Sequence, residues 1–122
     1  MKKILIVEDS TAMRQLLALA VRKHGAEAQE APDGLAALKM LSQTRFDLLF
    51  VDLNMPILDG MKLIKRVRED KALADTRICV VTTESGQATE EQARALGADF
   101  FLRKPIARRD VERVLVQVFK AP

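Results

Sequence analysis

Three unbroken apolar runs, Ile4-Leu5-Ile6-Val7, Leu48-Leu49-Phe50-Val51 and Ile78-Cys79-Val80-Val81, are separated by stretches patterned like helices. A strand that meets water on one face alternates apolar and polar residues. A run apolar at every position must be covered on both faces, the habit of a parallel sheet. Weaker β-like stretches lie around 27–31 and 99–103. From Met13, the positions Met13, Leu16, Leu17, Ala20 and Val21 repeat at helical spacing, with Ser10 as N-cap and Gly25 as terminator. Further helices are predicted from Asp33-Gly34 to about Leu41, from Asp59-Gly60 to about Asp70, across Ala88 to Leu96 before Gly97, and over a last segment with Val111, Val114, Leu115 and Val118 on one face. Five strands alternating with five helices predict a doubly wound α/β fold, (βα)5, because parallel neighbours need right-handed crossovers that lay helices on both faces.

The chain of 122 residues has room for one domain, residues 1–122. Size scaling gives a folded surface of roughly 6,600 Å² and burial of about two-thirds of the unfolded surface, so the core needs no staples. Lys and Arg number 20 against 17 Asp and Glu, too small an excess to imply a nucleic-acid partner. Five Phe with no Trp or Tyr make a poor stacking platform, and no nucleic-acid binding is expected. The single Cys79 excludes an internal disulfide and reads as a buried apolar residue. The single His24 excludes a His-rich metal site, argues against a Ser/His/Asp triad, and reads as a helix-end cation. The apolar run before Glu8-Asp9 has only four residues, too few for a signal-peptide core, and no run is long enough to span a membrane. Cytoplasmic residence without membrane association is the expectation.

Open α/β sheets bind ligands beyond the carboxyl ends of their strands. Those ends carry Glu8-Asp9, then Asp52 followed by Leu53-Asn54-Met55-Pro56, then Thr82-Thr83-Glu84, then Lys104-Pro105. Each has an ordinary reading alone: Asp9 and Ser10 as helix caps, Asp52 as a turn residue, Thr82 as a strand residue, Lys104 as a solvated charge. Together they put three carboxylates, a hydroxyl and an ammonium on one edge. Carboxylates about 4 Å apart repel by about 4 kcal/mol at an effective dielectric near 20, so the cluster calls for a neutralising cation. Without His clusters or thiolate spacing, Mg²⁺ is favoured, with Mn²⁺ as the alternative. A metal there would let one carboxylate attack a phosphoryl group. Asp52, at the end of a buried run, is best placed, with Thr82 and Lys104 to hold the phosphoryl oxygens.

The stretches ILIVEDS, VDLNMPILDG and VVTTES and the Lys104-Pro105 step, in register over essentially the whole chain, resemble the response-regulator receiver domain in its stand-alone, CheY-like form. The resemblance implies the flavodoxin-like strand order 2-1-3-4-5. It implies Asp52 as phosphoacceptor, with Asp9 and Asp52 binding Mg²⁺ directly, Glu8 through water, and Asn54 through its carbonyl. Thr82 and Lys104 then grip the phosphoryl group, Thr82 and Phe101 form the switch, and a cis bond precedes Pro105. The phosphodonor would be a sensor histidine kinase or a phosphotransfer protein, and the output surface the fourth helix, fifth strand and fifth helix, turned toward a downstream target. The chain would not be an enzyme beyond self-phosphorylation and self-dephosphorylation.

Two residues depart from the pattern. Phe101 stands where CheY has Tyr, so its ring has no hydroxyl to bond outside the pocket, and Thr83 is bulkier than the Ala or Gly often found there. Asn54 and Glu84 match positions that influence hydrolysis. Arg108, Arg109 and Arg113 give the last helix a basic cast, with Val116 off its core stripe. A haloacid-dehalogenase phosphatase would want a second Asp where Asn54 stands, and a flavin module would not tolerate Glu8-Asp9 beside its phosphate. The remaining alternative is a receiver-like interaction module that works without phosphate.

Overall fold

The computed structural model describes residues 1–84 and 86–120; Ser85, the last residue of the VVTTES stretch, lies outside them. In chain order the elements are β1 (Lys3–Val7), α1 (Thr11–Lys23), β2 (Glu27–Ala31), α2 (Gly34–Gln43), β3 (Leu48–Val51), α3 (Gly60–Glu69), β4 (Arg77–Thr82), α4 (Gln87–Leu96), β5 (Phe100–Arg103) and α5 (Arg108–Lys120). A 3-10 turn, Lys71–Leu73, sits between α3 and β4. The strands form one parallel sheet in the order β2-β1-β3-β4-β5. This is the CheY-like flavodoxin arrangement that the resemblance implied.

The all-apolar runs occupy the interior of the sheet, as continuous hydrophobicity requires. Every residue of β3 is buried, and β1 and β4 are buried beyond their first residues. Two apolar layers flank the sheet. One gathers Leu5, Val7, Leu49, Val51, Ile78 and Val80 under α2, α3 and α4. The other gathers Ile4, Ile6, Leu48, Phe50, Cys79 and Val81 under α1 and α5. Alternate residues of each strand thus serve opposite layers. The accessible surface is 6563 Å², close to the value scaled from mass. The outer strands are less enclosed: β2 carries Glu27, Gln29 and Glu30, and no residue of β5 is fully buried.

Helix starts follow the sequence signals. Ser10, Asp33 and Asp59 each accept a hydrogen bond from the third residue beyond, satisfying a backbone donor that the first turn leaves unpaired. Gly97 ends α4 at φ 119°, a conformation that disfavours any Cβ. His24 does close α1, where its ring meets Phe119 of α5 edge-on, centroids 4.9 Å apart. Cys79 is fully buried, and burial pushes its thiol pKa well up. Among the described residues no helix is long and apolar enough to cross a membrane.

Candidate functional site

The site is built at the carboxyl ends of β1, β3, β4 and β5. Parallel registry brings the ends of β1 and β3 level, Val7 opposite Val51, so the next residues, Glu8 and Asp52, emerge side by side. Asp52 is fixed by its own N–H, which donates to the Val7 carbonyl at 3.1 Å, and Glu8 by its N–H to the Ala31 carbonyl at 3.1 Å. Carboxylate oxygens of Glu8, Asp9 and Asp52 all lie within 4.8 Å of one another. Glu8 is 1% and Asp52 5% exposed, whereas Asp9 faces solvent.

Lys104 enters from the end of β5. Its Nζ donates to Glu8 Oε2 at 3.0 Å and lies 3.7 Å from Asp52 Oδ2, so one ammonium faces both buried acids. The other oxygens are held by backbone: Ser10 N–H donates to Glu8 Oε1 at 3.2 Å, and Asn54 N–H to Asp52 Oδ1 at 3.2 Å. Burial pushes the Glu8 carboxyl above its ordinary range. The Lys104 hydrogen bond pulls the other way, and the Asp52 charge adds to the rise. Thr82 is fully buried at the end of β4; its Oγ1 accepts from Glu84 N–H at 3.2 Å, leaving the hydroxyl proton to donate elsewhere. Lys104 N–H donates to the Thr82 carbonyl at 2.8 Å, tying these two residues together, and the Lys104-Pro105 bond is cis.

The donor set suits Mg²⁺. All three acids offer hard oxygen ligands, Lys104 faces two of them, and among the described residues the cluster contains neither imidazole nor thiolate. Every residue anticipated at the site lies at this sheet edge except Phe101. Phe101 sits on β5, half-buried, packed on the layer under α4.

Two further residues shape the site. Arg14 of α1 donates to the Glu8 carbonyl at 2.8 Å and pairs with Glu30 of β2 at 3.3 Å, pinning the β1–α1 turn. Its only sequence signal was a charged position next to Met13 on an otherwise apolar-patterned helix. Gly60 lies so close beneath Asp52 that a Cβ would come 2.5 Å from the Asp52 carbonyl oxygen; in the sequence it marks only a helix start. The basic cast of α5 is softer than anticipated, since Arg108 pairs with Glu112 at 2.9 Å and Arg113 with Asp110 at 2.6 Å. Val116 is 48% exposed, as its place off the core stripe requires.

Residues 4–116 match the response regulator receiver domain. Over 119 residues the chain is 34% identical to chemotaxis protein CheY-3 of Vibrio cholerae, spanning 97% of this chain and 92% of that protein. It is 33% identical to chemotaxis protein CheY of Pseudomonas aeruginosa, spanning 97% and 96%. The crystal structure of Vibrio cholerae CheY4 at low pH agrees with this backbone at a TM-score of 0.91 and 33% identity, covering 97% of this chain and 98% of that one. With sequence and backbone agreeing over nearly the same span, the chain belongs to the response regulator receiver domain family.

Proposed function

We propose that residues 1–122 act as one receiver unit that takes a phosphoryl group onto Asp52 from a phosphohistidine. The donor would be a sensor histidine kinase or a phosphotransfer protein in the cytoplasm. The observation that carries this is the convergence of Glu8, Asp9 and Asp52 oxygens within 4.8 Å, with Lys104 Nζ 3.7 Å from Asp52.

Glu8, Asp9, Asp52 and the Asn54 carbonyl would hold Mg²⁺, Glu8 through water. When bound, the ion offsets the charge of the approaching anion and of the transferring oxygens. An Asp52 oxygen forms the new O–P bond while the P–N bond of the donor breaks and its electron pair returns to the imidazole. Lys104 leaves Glu8 for a phosphoryl oxygen, and Thr82 donates its hydroxyl proton to another. Asn54 and Glu84, whose N–H groups bond Asp52 and Thr82, would influence hydrolysis of the acyl phosphate. The surface formed by α4, β5 and α5 then changes its affinity for a downstream protein.

Incubation with Mg²⁺ and radiolabelled acetyl phosphate, or a phosphohistidine donor, tests this directly. Stoichiometric, Mg²⁺-dependent label on the chain that disappears in Asp52→Asn is the expected result. Repeated turnover of the donor without retained label would mark a phosphatase. Absence of label would mark a module that signals without phosphate.

A further inference from the structure

β5 turns its side chains alternately to the two faces of the sheet. Phe100 and Leu102 pack under α1 and α5, and Phe101 packs under α4. Arg103, two residues on from Phe101 and on its face, sets its guanidinium carbon 4.9 Å from the centroid of the Phe101 ring. The same guanidinium donates to Glu90 Oε1 of α4 at 3.0 Å. The second Glu90 oxygen accepts from Arg94 Nε at 3.0 Å, and Arg94 donates onward to the Asp99 carbonyl at 3.1 Å, just ahead of β5. Glu90 and Arg94 of α4 together therefore fasten that helix to the end of β5 and to the residue just ahead of it.

A flat guanidinium can cover an aromatic face and bind a carboxylate at its rim simultaneously, which a lysine ammonium does less well. Phe101 has no hydroxyl through which a polar partner could fix its ring, so Arg103 supplies the polar contact from outside. Arg103 also pairs in register with Thr82 and immediately precedes Lys104. Any displacement of Thr82 and Lys104 toward a phosphoryl group therefore reaches the guanidinium through adjacent backbone. The side chains of Arg103 and Glu90 are 40% and 28% exposed, so water competes for their charges and the contact is reversible.

We propose that Arg103, anchored by Glu90, is a positioning residue for Phe101. Its guanidinium clamps the ring and α4 in place while Asp52 is unmodified, and releases them when Thr82 and Lys104 engage a phosphoryl group. The proposal rests on the reading of Asp52 as phosphoacceptor.

The test is NMR of the full chain carrying ring-¹³C phenylalanine, with Phe101 signals assigned through Phe101→Leu and the Thr82 amide as a second reporter. Spectra are taken with and without beryllofluoride and Mg²⁺, an acyl-phosphate mimic. In untreated Glu90→Gln and Arg103→Ala, both reporters should lie roughly a third or more of the way along the line toward the treated positions of the unsubstituted protein. Arg103→Lys, which keeps the charge but not the plane, should shift them in the same direction. If both reporters in the untreated variants coincide with the unsubstituted protein while beryllofluoride still moves the latter, the clamp is overturned and the Asp52 reading stands. If beryllofluoride moves neither reporter in the unsubstituted protein, the Asp52 reading falls and the clamp's release falls with it.

Discussion

Lys104 is the residue on which the charge balance of the site turns. Its Nζ stands 3.0 Å from a Glu8 oxygen and 3.7 Å from an Asp52 oxygen, and its side chain is only 16% exposed. Removing one partner of a buried ion pair strands the other in a poor solvent. Lys104→Met should therefore cost about 3 kcal/mol in metal-free buffer, measured by urea unfolding, and saturating Mg²⁺ should restore much of it by taking over the neutralisation. This arrangement was legible in advance because each residue occupies a strand end, a place that sequence pattern alone marks. The partners of Arg14 and Arg103 were not. Those contacts join elements whose relative placement depends on packing, and nothing local to either arginine names a glutamate at position 30 or 90.

At the level of single elements, the loop from β3 to α3 is held by close backbone approach. A Cβ at Gly60 would meet the Asp52 carbonyl oxygen at 2.5 Å and Leu53 Cα at 2.7 Å, and backbone atoms cannot swing aside. Gly60→Ala should destabilise by about 2–3 kcal/mol and lower phosphoryl labelling of whatever folds. Gly25→Ala, at φ 91° but with nothing within 4 Å, should cost about 1 kcal/mol and leave labelling intact, so urea melts and labelling of the two variants separate crowding from backbone strain. The α4–β5 tie has a pH signature. Arg94's hydrogen bond, with desolvation opposing and Arg103 assisting, holds the Glu90 carboxyl below its ordinary 4.5. A carboxylate depressed on folding contributes stability above its unfolded pKa and loses it as pH falls through the folded value. Thermal melts across roughly pH 3 to 6 should therefore show a shallower acid loss in Glu90→Gln than in the unsubstituted protein. The helices themselves followed their caps closely, because Ser10, Asp33 and Asp59 act within one turn. The 3-10 turn at Lys71–Leu73 has no such mark beyond Asp70, which helical spacing puts at the end of α3.

For the molecule as a whole, the acid cluster links stability to metal. Mg²⁺ that binds the folded cluster and not the unfolded chain should stabilise by about 2.7 kcal/mol at a hundred times its dissociation constant. A rise in Tm with Mg²⁺ that shrinks sharply in Asp52→Asn, followed by calorimetry, is the expected outcome. Alternation of strands and helices made the sheet readable before its coordinates, since covered strands must be parallel and parallel strands must be crossed by helices. Strand order was not so derivable and came from family likeness, because apolar runs say that a strand is enclosed without saying by which neighbours. The enclosure is uneven in one telling way. Glu8 and Asp52 extend from β1 and β3, interior strands sealed on both sides, whereas Lys104 extends from β5, an edge strand that among the described residues is bonded through β4 alone and is nowhere fully covered. Negative charge is thus welded to the chassis while the positive counterweight rides on a leaf spring, and the pocket can be re-poised by flexing the rim of the molecule without disturbing its frame.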